Sequence, residues 1–253
     1  MAATSQNRGT QGRGVQGRRA QSSGTQRRRT QDPGTQDPGT QDGGTQSPGT
    51  RGRERGHPRA AGIRIVPIAD APWHDVRTVF GTRGDPSTCW CQYFKLSGRQ
   101  WREATVPECE AALHEQSEHD PGPGLLAYEG DEPVGWVAVE PRTRYSRLQS
   151  STIVKAGSVE PADDTSVWAI TCFVVRVGFR RRGVGTALLA GALEHAQASG
   201  ARVVEAYPVD TTERKASAAD LYHGVLASFV DAGFEVAARP IPGRAVVRHA
   251  FTN

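Results

Sequence analysis

Three arginines and two glycines, Arg180-Arg181-Arg182-Gly183-Val184-Gly185, stand between an apolar run and an Ala/Leu-rich one in "FVVRVGFRRRGVGTALLAGAL" (173–193). A helix start leaves its first backbone N–H groups without partners, and its dipole is positive there. Glycines let an anion come close to that backbone, and arginine can grip phosphate through two nitrogens. The chemistry this composition suits is binding of a phosphorylated ligand. It is not a Walker loop, because no Gly-Lys-Ser/Thr follows. Nor is it the G-x-G-x-x-G dinucleotide fingerprint, which would need glycine where Leu188 stands.

Such a loop must sit between a strand and a helix, and the flanking sequence predicts both. "VWAITCFVV" (167–175) is an unbroken apolar run suited to a central strand. In "GVGTALLAGALEHAQASG" (183–200), Leu188, Leu189, Ala192, Leu193 and Ala196 share one helical face, and Gly200 ends it. Upstream, "GIRIVPIAD" (62–70) predicts a strand and "APWHDVRTVFG" (71–81) a helix. "TVPECEAALHEQSEHD" (105–120) predicts a second helix capped by Thr105, and "GLLAYEGDEPVGWVAVEP" (124–141) a hairpin. Residues 149–166 read as a mobile loop. Downstream, "ARVVEAYPV" (201–209) predicts a strand and 216–233 one helix. "FEVAARPI" and "RAVVRHAF" (244–251) predict a closing hairpin. The expected fold is α/β, a mixed and mostly antiparallel central sheet with helices on both faces, in the order β-α-α-β-β-β-α-β-α-β-β.

Residues 1–60 have a different texture. The chain has 253 residues, yet every Trp, Tyr and Phe lies beyond position 60. The segment "TQDPGTQDPGTQDGGTQSPGT" (30–50) is a five-residue repeat that cannot bury enough apolar area to offset the entropy of ordering it. The expectation is a disordered basic leader over 1–60 and one domain over 61–253. The leader carries 11 Arg against 3 Asp and 1 Glu, a balance of +7, out of a net charge of +4 for the whole chain. The domain is therefore slightly acidic and no globular nucleic-acid surface is implied. Any attraction of nucleic acid would be weak and through the leader, which reads otherwise as passive. Four cysteines are too few and too scattered for a disulfide framework. No apolar run reaches the ~20 residues of a membrane span, and no apolar core of a signal peptide precedes the domain. The expectation is a cytoplasmic protein without a membrane partner. Cys89-Trp90-Cys91 lacks a second Cys/His pair beyond Cys109 and His114, so no metal is expected.

The R-x-x-G-x-G pattern, with "CFVV" before it, a helix after it and the terminal "AGF" (232–234), resembles the acyl-coenzyme A loop of the GNAT N-acetyltransferase superfamily. The resemblance covers roughly residues 63–253. "CWCQYF" (89–94), "GWVAVEPR" (135–142) and "EAYPVD" (205–210) are similar to an actinobacterial-type subgroup of it. It implies acetyl-CoA as acyl donor, and an amine of a small molecule or protein as acceptor, attacked directly. Homodimerisation is left open. The implied coenzyme contacts are Val174, Val175, Arg180, Arg181, Arg182, Gly183, Val184, Gly185 and Thr186, with a backbone N–H near Val174 or Val175 facing the developing oxyanion. The family commonly supplies the acid as a Tyr four residues before the glycine of the terminal Gly-Phe. Here that position is Phe229, which has no proton to give; Tyr222, seven residues earlier, is the candidate acid, with the alternative that its ring only lines the coenzyme groove. Glu205, among apolar neighbours, and Glu140 are the candidate bases, each with the alternative of pairing an arginine such as Arg142. Trp90, Tyr93 and Phe94 are expected to wall the acceptor pocket, and Arg142, Arg144 and Arg147 to form a solvated face beside it. The departure at Phe229 keeps open a second class, an acyl-CoA-binding sensor that has lost its chemistry.

Overall fold

The computed structural model describes residues 62–252, all within the unit Glu54–Asn253. The expected disorder of 1–60 lies outside the described residues.

Strand β1 (Ile63–Pro67) leads through a short 3-10 turn to helix α1 (Trp73–Phe80). Then come α2 (Pro86–Cys89), α3 (Gly98–Glu103) and α4 (Val106–Ser117). Thr105 stands at the N-cap of α4 as expected, its N–H and its hydroxyl both donating to the Glu108 carboxylate. The hairpin β2 (Gly124–Glu129) and β3 (Glu132–Pro141) turns at Gly130-Asp131. Helix α5 (Ser146–Gln149) is followed by α6 (Thr152–Gly157), which takes up the first part of the loop expected over 149–166, while 158–166 are irregular chain. Ser151 caps α6 by accepting from the Val154 N–H, and Gly157 packs flat on Val246 and Ala238. The chain continues as β4 (Val167–Val175), α7 (Val184–Ala198), β5 (Val203–Ala206), α8 (Ala218–Leu221), α9 (Leu226–Asp231), β6 (Glu235–Ile241) and β7 (Arg244–Ala250).

The seven strands form one sheet in the order β1-β2-β3-β4-β5-β7-β6, with every pairing antiparallel except β4 with β5. The expected class holds, with helices on both faces. Alternation along the strands divides the core between the faces. Leu125, Val137 and Val139 meet Val184, Leu188, Leu189 and Ala192 of α7 on one face. Leu126, Trp136, Ala138 and Val174 meet Val76, Val79 and Phe80 of α1 and Leu113 of α4 on the other. Trp136 is fully buried, so its truncation to Ala removes about 3–5 kcal/mol.

Two irregularities open the sheet where a ligand would enter. Val139 faces Ile170 while Ala138 faces Cys172, so Thr171 is the extra residue of a bulge in β4. Beyond Ile170, β5 no longer pairs with β4, and β4 runs on to Val175 alone on that side.

The second irregularity corrects the single helix expected over 216–233. It breaks after Leu221, and Tyr222-His223-Gly224-Val225 run as irregular chain before α9. Gly224 has φ +77°, and a Cβ there would lie 2.6 Å from the Phe229 ring, so no other residue fits the bend. The broken segment stitches the diverging strands together. The Phe173 N–H donates to the Tyr222 carbonyl at 2.7 Å, the Val209 N–H to Gly224 at 3.0 Å, and the Leu226 N–H to Val209 at 2.9 Å.

Candidate active site

Gly183 holds φ +83° at the N-cap of α7, a left-handed conformation costly for any side chain with a Cβ. A Cβ built on Gly185 meets nothing within 4 Å, so the first turn of α7 opens onto free space. That space is a cleft of about 430 Å³ walled by β4, the arginine loop, α7 and the broken helix. Val175, Arg180, Arg181, Gly183, Val184, Gly185 and Thr186 all line it. Unpaired amides, a helix dipole, two arginines and the missing side chain at Gly185 fit a diphosphate, and the apolar wall of Phe173, Leu189 and Phe229 fits an uncharged arm.

Two expected coenzyme contacts sit differently. Arg182 turns away to Glu129, 2.8 Å from its carboxylate, and is not in the cleft wall. The second is Val174. The Arg176 N–H donates to Val134 of β3, so by alternation the Val174 amide faces β3 too. Phe173 and Val175 face the other way, and the Val175 carbonyl accepts from Arg180 Nε at 3.2 Å. The Val175 N–H is the one aimed at the cleft.

On the far side of the β4 end lies a second cavity of about 380 Å³. Tyr93 and Phe94 line it, with Phe80, Trp101, Cys89, Cys91, Cys172, Asp85, Asp220 and His223. Trp90 does not. Its ring is sandwiched in the core, 4.8 Å from Phe80 and 6.0 Å from Trp73, because a left-handed turn at Trp90 and Cys91 folds it inward. The surroundings of Cys89 and Cys172 disfavour the thiolate form. Burial pushes Cys89 up to about 12 and is among the causes that raise Cys172, after a hydrogen bond with Cys91. Among the described residues no His/Cys/Asp/Glu group is placed to hold a metal, and no helix is long and apolar enough to cross a membrane.

Tyr222 lines both cavities. Burial and then the Asp85 carboxylate raise its phenol, against Arg180, so it is protonated at neutral pH. Phe229 is 0% exposed and meets Phe173 and Phe234 edge-on. It fills the wall behind the cleft.

Neither expected base reaches either cavity. Glu205, 0% exposed, takes Arg142 Nη1 at 2.6 Å, the Ser158 hydroxyl at 2.6 Å and the Tyr207 hydroxyl at 2.9 Å. Arg142 also donates to the carbonyls of Glu160 and Pro161, so the pair pins the 158–161 loop to the sheet. Glu140 lies 2.5 Å from Lys95 Nζ as an ion pair and 3.5 Å from Arg144. Arg142 is thus a buried partner and not part of a solvated face, while Arg147 stacks on the Tyr93 ring.

The group missed in the sequence is His223. Its Nδ1 lies 3.1 Å from the Thr171 carbonyl, the bulge residue, and its ring faces the second cavity beside Phe94. No motif marks it; it becomes visible only once the helix is seen to break.

Among solved structures, the chain is similar to a ribosomal-protein-alanine N-acetyltransferase from Brucella melitensis at 16% identity, covering 75% of this chain and 99% of that one, TM-score 0.44. It is similar to the PaiA N-acetyltransferase of Thermoplasma acidophilum in complex with coenzyme A at 12% identity, covering 75% and 99%, TM-score 0.43. It is also similar to the GNAT domain of PAT from S. lividans at 18% identity, covering 75% and 89%, TM-score 0.42. No curated protein matches the chain. The family model described as Acetyltransferase (GNAT) family matches residues 90–224, more than half of the chain and the whole stretch from the aromatic wall to the Gly224 bend. The chain belongs to the acetyltransferase (GNAT) family.

Proposed function

We propose that the protein is an acetyl-CoA-dependent N-acetyltransferase whose acceptor is a small amine with an apolar body. The observation that carries this reading is that a phosphate-ready cleft and an aromatic cavity share one phenol, Tyr222. Bound acetyl-CoA supplies an activated thioester carbonyl in the first cavity. The residues of this chain do the rest. Gly183, Gly185, Arg180 and Arg181 hold the diphosphate, the Val175 N–H faces the carbonyl oxygen as charge develops on it, and the Tyr222 hydroxyl stands ready to protonate the leaving sulfur. Phe80, Tyr93, Phe94 and Trp101 hold the amine's body and keep water from the reacting atoms. Most of the rate arises from holding both reactants in line. The segments "CWCQYF" and "EAYPVD" support a place in the actinobacterial-type subgroup, and nothing in this reading requires a metal or a membrane.

Phe229 favours a second reading, an acyl-CoA-binding module without chemistry. A thiol-release assay with full-length protein, acetyl-CoA and a panel of arylalkylamines, aliphatic diamines and peptide N-termini separates them. The first reading expects turnover, greatest with the arylalkylamines. Peptide turnover alone would move the acceptor to protein amines, and tight acetyl-CoA binding with no thiol released from any amine would establish the second reading.

A further inference from the structure

The geometry points to His223 as the catalytic base that takes the proton from the acceptor amine, an inference that rests on the N-acetyltransferase reading. A carbonyl oxygen only accepts, so the 3.1 Å contact with Thr171 puts the ring proton on Nδ1. The lone pair is then on Nε2, which has no partner among the described residues, in a side chain that lines the acceptor cavity. The bulge matters here. Thr171 is the residue that the β3–β4 register skips and stands just past the last β4–β5 pair, Ile170 with Ala206, so its carbonyl is free to fix the imidazole. His223 also follows Tyr222 directly, so the segment that brings an acid to the shared wall brings a base to the acceptor side of it.

The charged groups acting on the ring are Arg244 of β7, which disfavours its protonation, and Asp220 of α8, which favours it. Burial is the larger influence and holds the ring down at about 4, so Nε2 is free of a proton at neutral pH. Asp220 is committed elsewhere, its carboxylate gripped by both terminal nitrogens of Arg214. Asp85 lines the cavity from an exposed position and is suited to draw in a cationic amine.

In the step so assigned, the ammonium drawn in by Asp85 first releases one proton to water, and the neutral amine nitrogen then forms a C–N bond to the acetyl carbon as the thioester C–S bond breaks. The N–H proton, made acidic as nitrogen becomes cationic, passes to Nε2. The sulfur takes the Tyr222 proton, and water restores both side chains.

The decisive variant is His223→Asn, whose amide keeps a donor for Thr171 and removes the basic nitrogen. In full-length protein it is expected to bind acetyl-CoA with the wild-type Kd by calorimetry. Its kcat/KM for the best amine should fall about 100-fold or more, and added imidazole should restore part of the loss. Wild-type turnover in a folded His223→Asn protein, or a loss that imidazole does not touch while KM alone rises, would overturn the assignment and leave the transferase reading standing. Should His223→Asn not fold, His223→Gln, read the same way, decides. A wild-type protein inactive on every amine would overturn both readings.

Discussion

The two cavities that meet at Tyr222 are built by opposite means. In the proposed coenzyme cleft, the end suited to the diphosphate comes from one stretch of chain, the arginines, glycines and helix start within residues 175–186, while side chains of 218–229 close its other side. The acceptor cavity is made of side chains drawn from four segments, around 80–94, at 101, at 171–174 and at 219–223, which only the folded sheet brings together. A site made of consecutive amides tolerates little change in sequence. A site made of distant side chains is free to change its walls, and with them its acceptor, without disturbing the coenzyme. Mutations should therefore separate coenzyme affinity from turnover.

The sharpest separation is expected at Tyr222. Tyr222→Phe keeps the ring in both walls and removes the proton, so kcat should fall about 100-fold while calorimetry gives an unchanged acetyl-CoA Kd. Equal losses in both would mean that the phenol binds coenzyme and donates nothing.

Gly185→Val should do the reverse. Its φ carries no strain and the Cβ enters open space, so its two methyl groups crowd the ligand alone. The acetyl-CoA Kd should rise at least about tenfold, or ~1.4 kcal/mol, with circular dichroism unchanged. An unaltered Kd would remove the diphosphate from this turn.

How much of this was legible follows from the same contrast. The strand–loop–helix unit at 167–198 could be read because its signals are local: an apolar run, two glycines, one helical stripe. The hairpin and the Thr105 cap could be read for the same reason. The break at Tyr222–Val225 could not, because nothing in "ADLYHGVLASFVDAGF" forbids one helix. The bend is imposed by Phe229 under Gly224 and by strands that part at Ile170. Glu205 misled because a carboxylate in an apolar strand looks the same whether it faces a ligand or an arginine 63 residues away in sequence. Trp90 misled because a left-handed backbone reversed the face it shows.

Glu205 tests that correction. Glu205→Gln leaves Arg142 buried without its countercharge, so stability in denaturant should drop by about 3–5 kcal/mol, while kcat per folded molecule stays at the wild-type value. A catalytic loss in the folded fraction would return Glu205 to the site.

Acid should weaken the fold in a defined window. Burial lowers His223 to about 4 from 6.5, and lowers His195 as well. Both rings take up protons in the unfolded chain before the folded one, so stability is full above about 6.5 and declines as pH falls toward 4. Denaturant midpoints across that range should show the decline, with a shallower slope in His223→Asn. A rise on acidification would contradict the buried neutral ring.

The smallest effect is expected at Arg182, whose pair with Glu129 is half exposed. Arg182→Ala should change stability by less than about 1 kcal/mol and leave acetyl-CoA affinity as it is, whereas Arg180→Ala and Arg181→Ala weaken it.

In the proposed function, the first turn of α7 and its arginines grip the diphosphate of an acyl-coenzyme A. Calorimetric titration of the full-length protein with acetyl-CoA, repeated with Gly185→Val, tests it most directly. One site per chain for the wild-type protein and a weakened one for the variant is the predicted result. A folded wild-type protein that gives no heat and is not shifted in Tm by any coenzyme A thioester would contradict it.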